Sequence, residues 1–230
     1  KWRAKGVDVR IETVDVADFA SVEGLVARVA ASMGPITGVF HTAMVLDDGL
    51  MSGLEADRVS RVLAPKIDGA LNLDRATRGQ PVERFVLYSS ATTLVGNPGQ
   101  AAYVAANGFL QGLARRRRAE GLPALAVAWG AIADVGVLAR GGTTAKKLEH
   151  VTGVVGLAST EAFYHLEELL VRADELDDPV VNCARFRRVG AMKGLPILET
   201  AAFADVFHSG GSERAEVVQT NIGELIAGKS

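Results

Sequence analysis

The chain has 230 residues, 48% of them hydrophobic, with a mean hydropathy of +0.18, which is enough for one sizeable core. A net charge of −2 and a pI near 6.1 give no field suited to nucleic acid or an anionic membrane, and no apolar run reaches the roughly 18 residues that span a bilayer. One cysteine, Cys183, excludes an internal disulfide framework, and four scattered histidines (His41, His150, His165, His208) lack metal-ligand spacing.

With no charged-then-apolar leader at its start, the chain is expected in a reducing cytoplasm. Val7 to Val16 alternates apolar and polar residues and reads as a strand. Asp18 is placed to cap the next helix, whose apolar stripe is Leu25, Val26 and Val29, and Gly34-Pro35 stops it. Ile36 to Thr42 reads as a second strand. A helix is expected over about Leu54 to Arg78, with Val59, Val62, Leu63, Ile67, Leu71 and Leu73 inward and Pro65 kinking or breaking it.

Phe85 to Leu113 is the organising stretch. Phe85-Val86-Leu87-Tyr88 reads as a buried strand broken by Ser89-Ser90, and Gly96-Asn97-Pro98-Gly99 as a loop. Tyr103 and Asn107 then share one face of a helix. A serine at a strand's carboxyl end and a phenol at a helix start face the crevice where open α/β sheets bind ligands. Arg115 to Arg118 reads as a solvated helix end that suits the dipole, with docking of an acidic carrier protein as the alternative. Ala124 to Trp129 is a further strand, followed by a loop over Gly130 to Gly142 and a polar segment to Gly156. Ser159 is expected to cap a helix over Thr160 to Ala173, and Pro179 to Cys183 is a last short strand holding Cys183 as a small hydrophobe. Strands alternating with helices mean an α/β fold with a parallel sheet covered on both faces. The pattern places one domain over residues 1–207 and a tail or linker over 208–230.

The strand–serine–loop–tyrosine segment resembles the short-chain dehydrogenase/reductase superfamily, and within it the ketoreductase domains of modular polyketide synthases. Ser90 and Tyr103 are 13 residues apart, as that family's catalytic pair are. Asn107 stands four after Tyr103, where ordinary members carry lysine, and this branch moves its lysine to the preceding helix. Ala64-Pro65-Lys66-Ile67-Asp68-Gly69-Ala70 looks like that motif. Ala128-Trp129-Gly130 resembles the stretch that passes the nicotinamide and leads into a lid over about Arg140 to Gly156.

The resemblance implies a Rossmann-like doubly wound sheet and NADPH-dependent reduction of a β-ketoacyl thioester held on acyl carrier protein. It implies Tyr103 as proton donor, its pKa lowered by Lys66, which also contacts the nicotinamide ribose. Ser90 would hold the carbonyl oxygen, and Asn107 would support Lys66 and a proton-relaying water. Asp15-Val16 would hold the adenine, and His41-Thr42-Ala43 would line the cofactor groove, with Met44 where the family has glycine. Leu46-Asp47-Asp48 resembles the signature of B-type domains, which give the 3R (D) alcohol. Val95 stands where the opposite type has tryptophan, and Ala105 where the B2 subtype has proline, so the resemblance implies a B1-like domain.

The sequence contains no G-x-G-x-x-G turn and no basic residue placed for an NADP 2′-phosphate. The chain is therefore expected to begin after the family's first β-α-β unit, leaving Val7 to Asp15 without a neighbour and the sheet with open edges. Three readings follow. One is the catalytic part of a working ketoreductase, partnered by carrier protein and other synthase domains. Another is a non-catalytic subdomain, with self-association through open edges as a possibility. The last is a sugar-nucleotide epimerase, against which Asn107 argues.

Overall fold

The computed structural model describes residues 3–136 and 154–186. A four-stranded parallel sheet carries the architecture: β1 (Gly38–His41), β2 (Arg84–Ser90), β3 (Leu125–Trp129) and β5 (Val180–Cys183), side by side in that order. Val39 stands opposite Phe85, Leu87 opposite Ala126, and Val127 opposite Val181. Every residue of β3 is buried, as befits a central parallel strand covered on both faces.

On one face, α2 (Ala56–Ala76) and α4 (Ala101–Ala119) pack on Phe85, Leu87 and Ala126 through Ala70, Leu110 and Leu113, and α1 (Phe19–Met33) packs on α2. On the other, α5 (Ser159–Arg172) lays Leu166 and Leu169 on Val86, Leu125 and Val127. A short α3 (Thr92–Val95) sits between β2 and α4, and β4 (Val154–Val155) pairs antiparallel with β6 (Arg185–Phe186). The fold is α/β and doubly wound, as the alternation of elements required.

Several expectations are corrected. Val7 to Val16 forms no strand: Ile11 is 89% exposed and no described strand pairs with this stretch. Alternation cannot make a strand without a ladder partner. Side chains tether it instead, Arg28 to Glu12 and Arg10 to Ser32, while Asn72 Nδ2 donates to the carbonyls of Val16 and Ala17 at 3.0 and 2.9 Å.

Pro65 does not break α2, which runs unbroken from Ala56 to Ala76. Burial of Val62, Lys66, Gly69 and Ala70 along one stripe offsets the one lost backbone bond. Val62 is buried and Leu71 and Leu73 pack on the core as expected, but the most buried stripe also holds Lys66 and Asp74, which hydropathy does not place inside. Ser89 and Ser90 do not break the strand: they are its last two residues, paired with Ala128 and Trp129.

Ser159 does not cap α5. Ala158 occupies the cap position, and the Asp134 carboxylate accepts from Ser159 N and Oγ, both at 2.7 Å. Asp18 does cap α1, accepting from Ser21 N at 3.1 Å.

The arginine run is solvated only in part: Arg115 and Arg116 are exposed, while Arg117 is buried and Arg118 half-buried. Arg117 and Asp74 are each 3% exposed and paired, with the Arg117 guanidinium 3.8 Å from the centre of the Phe85 ring. Arg116 and Arg78 reach the same carboxylate at 2.8 and 2.9 Å. Arg118 donates to the carbonyls of Ala173 and Leu176, and Arg115 pairs with Asp178 at 2.7 Å. The run fastens α4 to α2 and to the segment joining α5 to β5. Burial alone would raise the Asp74 pKa, but Arg78 and Arg117 hold it below the ordinary carboxylate range. The lid segment over 137–153 and the tail over 208–230 lie outside the described residues.

Candidate active site

The carboxyl ends of β1 and β2 and the first turns of α4 converge on one cluster. Ser90, 8% exposed, closes β2, and Tyr103 stands two residues into α4. Lys66 and Asn107 are 2% and 0% exposed. Lys66 Nζ donates to the Tyr88 carbonyl at 2.8 Å and lies 5.8 Å from the centre of the Tyr103 ring. Ser90 hydrogen-bonds the phenol, and Asn107 Nδ2 donates to the Tyr103 carbonyl at 2.8 Å. The four residues singled out from the sequence are thus gathered from three elements.

The electrostatics depart from expectation at Tyr103. Burial raises the phenol's pKa, and the Asp48 carboxylate adds to the rise, while Ser90 and Asn107 pull it down by hydrogen bonding. The phenol lies above its ordinary value, not below it. Lys66 Nζ, bonded to the Tyr88 carbonyl and 5.8 Å from the ring centre, does not offset this rise. A raised value keeps the phenol protonated at neutral pH, the form a proton donor needs.

Burial pushes the Lys66 ammonium down to about 8 from an ordinary 10.5. The unfolded chain then holds a proton that the folded chain gives up, so stability rises between about pH 8 and pH 10.5. Below pH 8 the full penalty of burying the charge applies. Lys66→Met is expected to remove that rise and to stabilise the chain by roughly 1–3 kcal/mol at pH 7. Urea unfolding at both pH values checks this, and a less stable variant at pH 7 contradicts it.

His41 ends β1 at 2% exposure, behind Lys66. Burial first, then the Lys66 charge, lowers its imidazole to about 4, so it is neutral in the fold. Thr42 and Met44 are exposed and Ala43 half-buried beyond it. Val16 approaches the same place through Gly69: a Cβ there would stand 2.9 Å from Val16 Cγ2 and 3.3 Å from His41 Cε1. Asp15 turns its carboxylate to Ala17 N at 2.9 Å. Gly69→Ala is expected to cost roughly 1–3 kcal/mol by overpacking this contact. An unchanged thermal midpoint would show that the contact gives way freely.

The Leu46-Asp47-Asp48 segment is no free turn. Asp47 accepts from Arg58 at 2.5 Å and from Arg61 at 2.8 Å, which holds its carboxyl well below the usual range. Asp48 accepts from Gln100 Nε2 at 3.0 and 3.1 Å, and Gly49 N donates to Gly99 O at 2.8 Å. Asp47 therefore fixes the segment to α2, while Asp48 faces the start of α4 beside Tyr103. Leu46 is 36% exposed, and Val95, 6% exposed, is held in α3.

The Trp129 ring is not drawn to the Ser90–Tyr103 cluster but packs on the α5 side, 5.8 Å from Tyr88. Gly130 donates to Cys183 O at 2.8 Å, where a Cβ would meet Ala184 at 3.0 Å. Cys183 itself is half-buried. Arg58, Arg61 and Gln100 escaped the sequence reading because their partners lie 10 to 52 residues away. Only the polar residues on the α2 face toward Asp47 hinted at them.

A parallel sheet with this cluster at its strand ends defines a Rossmann-like domain of the short-chain dehydrogenase/reductase class. The KR-domain family matches residues 1–134. Phthioceranic/hydroxyphthioceranic acid synthase of Mycobacterium tuberculosis is 45% identical over 135 residues, 59% of this chain and 6% of that synthase. Mycoketide-CoA synthase of the same organism is 40% identical over 184 residues, 79% of this chain and 4% of the synthase. Among solved structures, the first-module ketoreductase of phoslactomycin biosynthesis from Streptomyces sp. HK803 is 35% identical with a TM-score of 0.72, over 80% of this chain and 41% of that one. An A-type ketoreductase of a modular polyketide synthase gives a TM-score of 0.73 at 29% identity, over 85% and 42%.

The chain belongs to the KR-domain family of modular polyketide synthases. It spans a few per cent of the multidomain synthases it matches and under half of the solved ketoreductases.

Proposed function

We propose that this chain carries the catalytic residues of an NADPH-dependent reductase acting on a β-ketoacyl thioester bound to acyl carrier protein. The carrying observation is the convergence of Ser90, Tyr103, Lys66 and Asn107 at the strand ends. The nicotinamide end of the dinucleotide fits these residues. Asn107 Oδ1 is buried with no partner among the described residues, and the Lys66 ammonium, with three donors, makes one described hydrogen bond. Lys66 and Tyr103 would hold the nicotinamide ribose, with Asp15-Val16 toward the adenine and Thr42-Ala43 along the groove. Bound NADPH supplies the hydride that reduces the β-carbonyl.

The chain's own groups handle oxygen and proton. Ser90 donates to the substrate carbonyl and fixes its direction. Tyr103 gives its phenolic proton to the oxygen as negative charge develops there. The Lys66 ammonium, close to the ring, favours the phenolate that remains, and Asn107 holds the backbone of Tyr103. The low dielectric that raises the phenol's pKa also strengthens these interactions.

The fold likeness does not choose a product hand, because the similar structures include A-type and C2-type ketoreductases. Leu46-Asp47-Asp48, with Asp48 beside Tyr103, supports a B1-like domain and a 3R alcohol. Chiral chromatography of the hydroxyacyl product is the check, and a 3S product defeats this assignment. Carrier protein and other synthase domains are the proposed partners, in the cytoplasm. No described helix is long and apolar enough to cross a membrane. Titration of nicotinamide fluorescence with the natural polypeptide containing this chain tests the reading, and an absence of binding removes it in favour of a non-catalytic role.

A further inference from the structure

Two turns beyond Tyr103, and one beyond Asn107, Gln111 points its amide at the end of β2. Its Nε2 donates to Ser89 Oγ at 3.1 Å and to Thr93 Oγ1 at 2.7 Å, which uses both amide hydrogens. Each hydroxyl then passes its single hydrogen to a backbone carbonyl. Ser89 Oγ donates to Asn107 O at 3.1 Å, and Thr93 Oγ1 donates to Ser90 O at 2.7 Å. One side chain therefore terminates two hydrogen-bond chains, one on the backbone of Asn107 and the other on the backbone of Ser90. Ser89 is 5% exposed and Asn107 fully buried, so these bonds are made out of water's reach and are costly to leave unmade.

We infer that Gln111 is a positioning residue that sets the distance between Ser90 on β2 and the Tyr103–Asn107 face of α4. This rests on the proposed roles of Ser90 and Tyr103. Ser90 is otherwise held by its pairing with Trp129, by its bond to the Tyr103 phenol and by Thr92, whose N and Oγ1 donate to it at 3.2 and 2.9 Å. The Gln111 fork adds the only described side-chain link from α4 to both Ser89 and Thr93. The donor direction matters. A carboxylate at 111 would take the hydrogens of Ser89 and Thr93 and free both carbonyls, so Gln111→Glu keeps the volume and loses the clamp. Gln111→Met keeps the volume and loses both limbs.

The test uses the natural polypeptide containing this chain, with a β-ketoacyl thioester and NADPH. Gln111→Met and Gln111→Glu are expected to lower kcat by roughly 10- to 100-fold with KM within about twofold, since misplacement acts on the reacting geometry. Thr93→Val, which removes one limb, is expected to give a smaller loss, and to add nothing once Gln111 is Met. Such non-additivity is foreign to a side chain that only fills space. Wild-type kcat in Gln111→Met, or full additivity, overturns the inference. Should Gln111→Met not fold, Thr93→Val alone decides by its kcat. A second readout is independent of turnover: in NMR the two Gln111 side-chain amide protons are expected to exchange with water at least about tenfold more slowly than those of exposed glutamines. Equal exchange overturns the fork. Full turnover in Tyr103→Phe would instead remove the functional reading and leave the exchange result standing.

Discussion

Tyr103→Phe is expected to lower reduction of a β-ketoacyl thioester by roughly 10²- to 10⁴-fold, the usual worth of a positioned acid, with little change in unfolding midpoint. The substitution removes one oxygen from a half-buried ring and leaves Asn107 bonded to the residue's carbonyl, which phenylalanine retains. What is lost is the proton. Burial and Asp48 keep the phenol protonated in the resting fold, and no other described group at the cluster is as well suited to replace it. The Lys66 ammonium is held against Tyr88 O, and the His41 imidazole is buried and neutral. Turnover and circular dichroism on the same preparation separate lost chemistry from lost fold. Retained turnover would reject Tyr103 as the acid.

Asp74→Ala is expected to give the largest loss of stability, about 3–5 kcal/mol, because it strands the buried Arg117 charge. The neighbouring pair offers a built-in contrast. Arg115 and Asp178 are each about half exposed, so Asp178→Ala is expected to cost under about 1 kcal/mol. Urea unfolding of the two variants measures the difference. Equal losses would mean that Asp74 is not the anchor of the arginine run.

These two residues also mark how far the sequence could be read. The Ser90–Tyr103–Asn107 spacing lies on adjacent elements, so periodicity and loop signals placed it correctly. Lys66 was found by its motif although it sits on a buried stripe, where hydropathy would have put an aliphatic residue. Asp74 and Arg117 were lost for that same reason. A charge buried against a partner 43 residues away looks solvated until the helices are docked. Val7 to Val16 shows the opposite error, since alternation describes a strand's faces and says nothing of its partner. Asp134, which caps α5 from 25 residues upstream, and Gln100, which meets Asp48, depend on loop closure that local pattern does not encode.

Ser90, Tyr103, Lys66 and Asn107 are proposed to serve a dinucleotide-dependent reduction of a β-ketoacyl chain. The most direct measurement supplies the natural polypeptide containing this chain with a β-ketoacyl thioester and NADPH deuterated on its transferable hydride. Mass spectrometry and chiral chromatography then follow the product. Deuterium is expected on the β-carbon of a 3R-hydroxyacyl thioester, formed by the wild-type protein and not by Tyr103→Phe. Unreduced substrate, or equal labelling by both proteins, would contradict this.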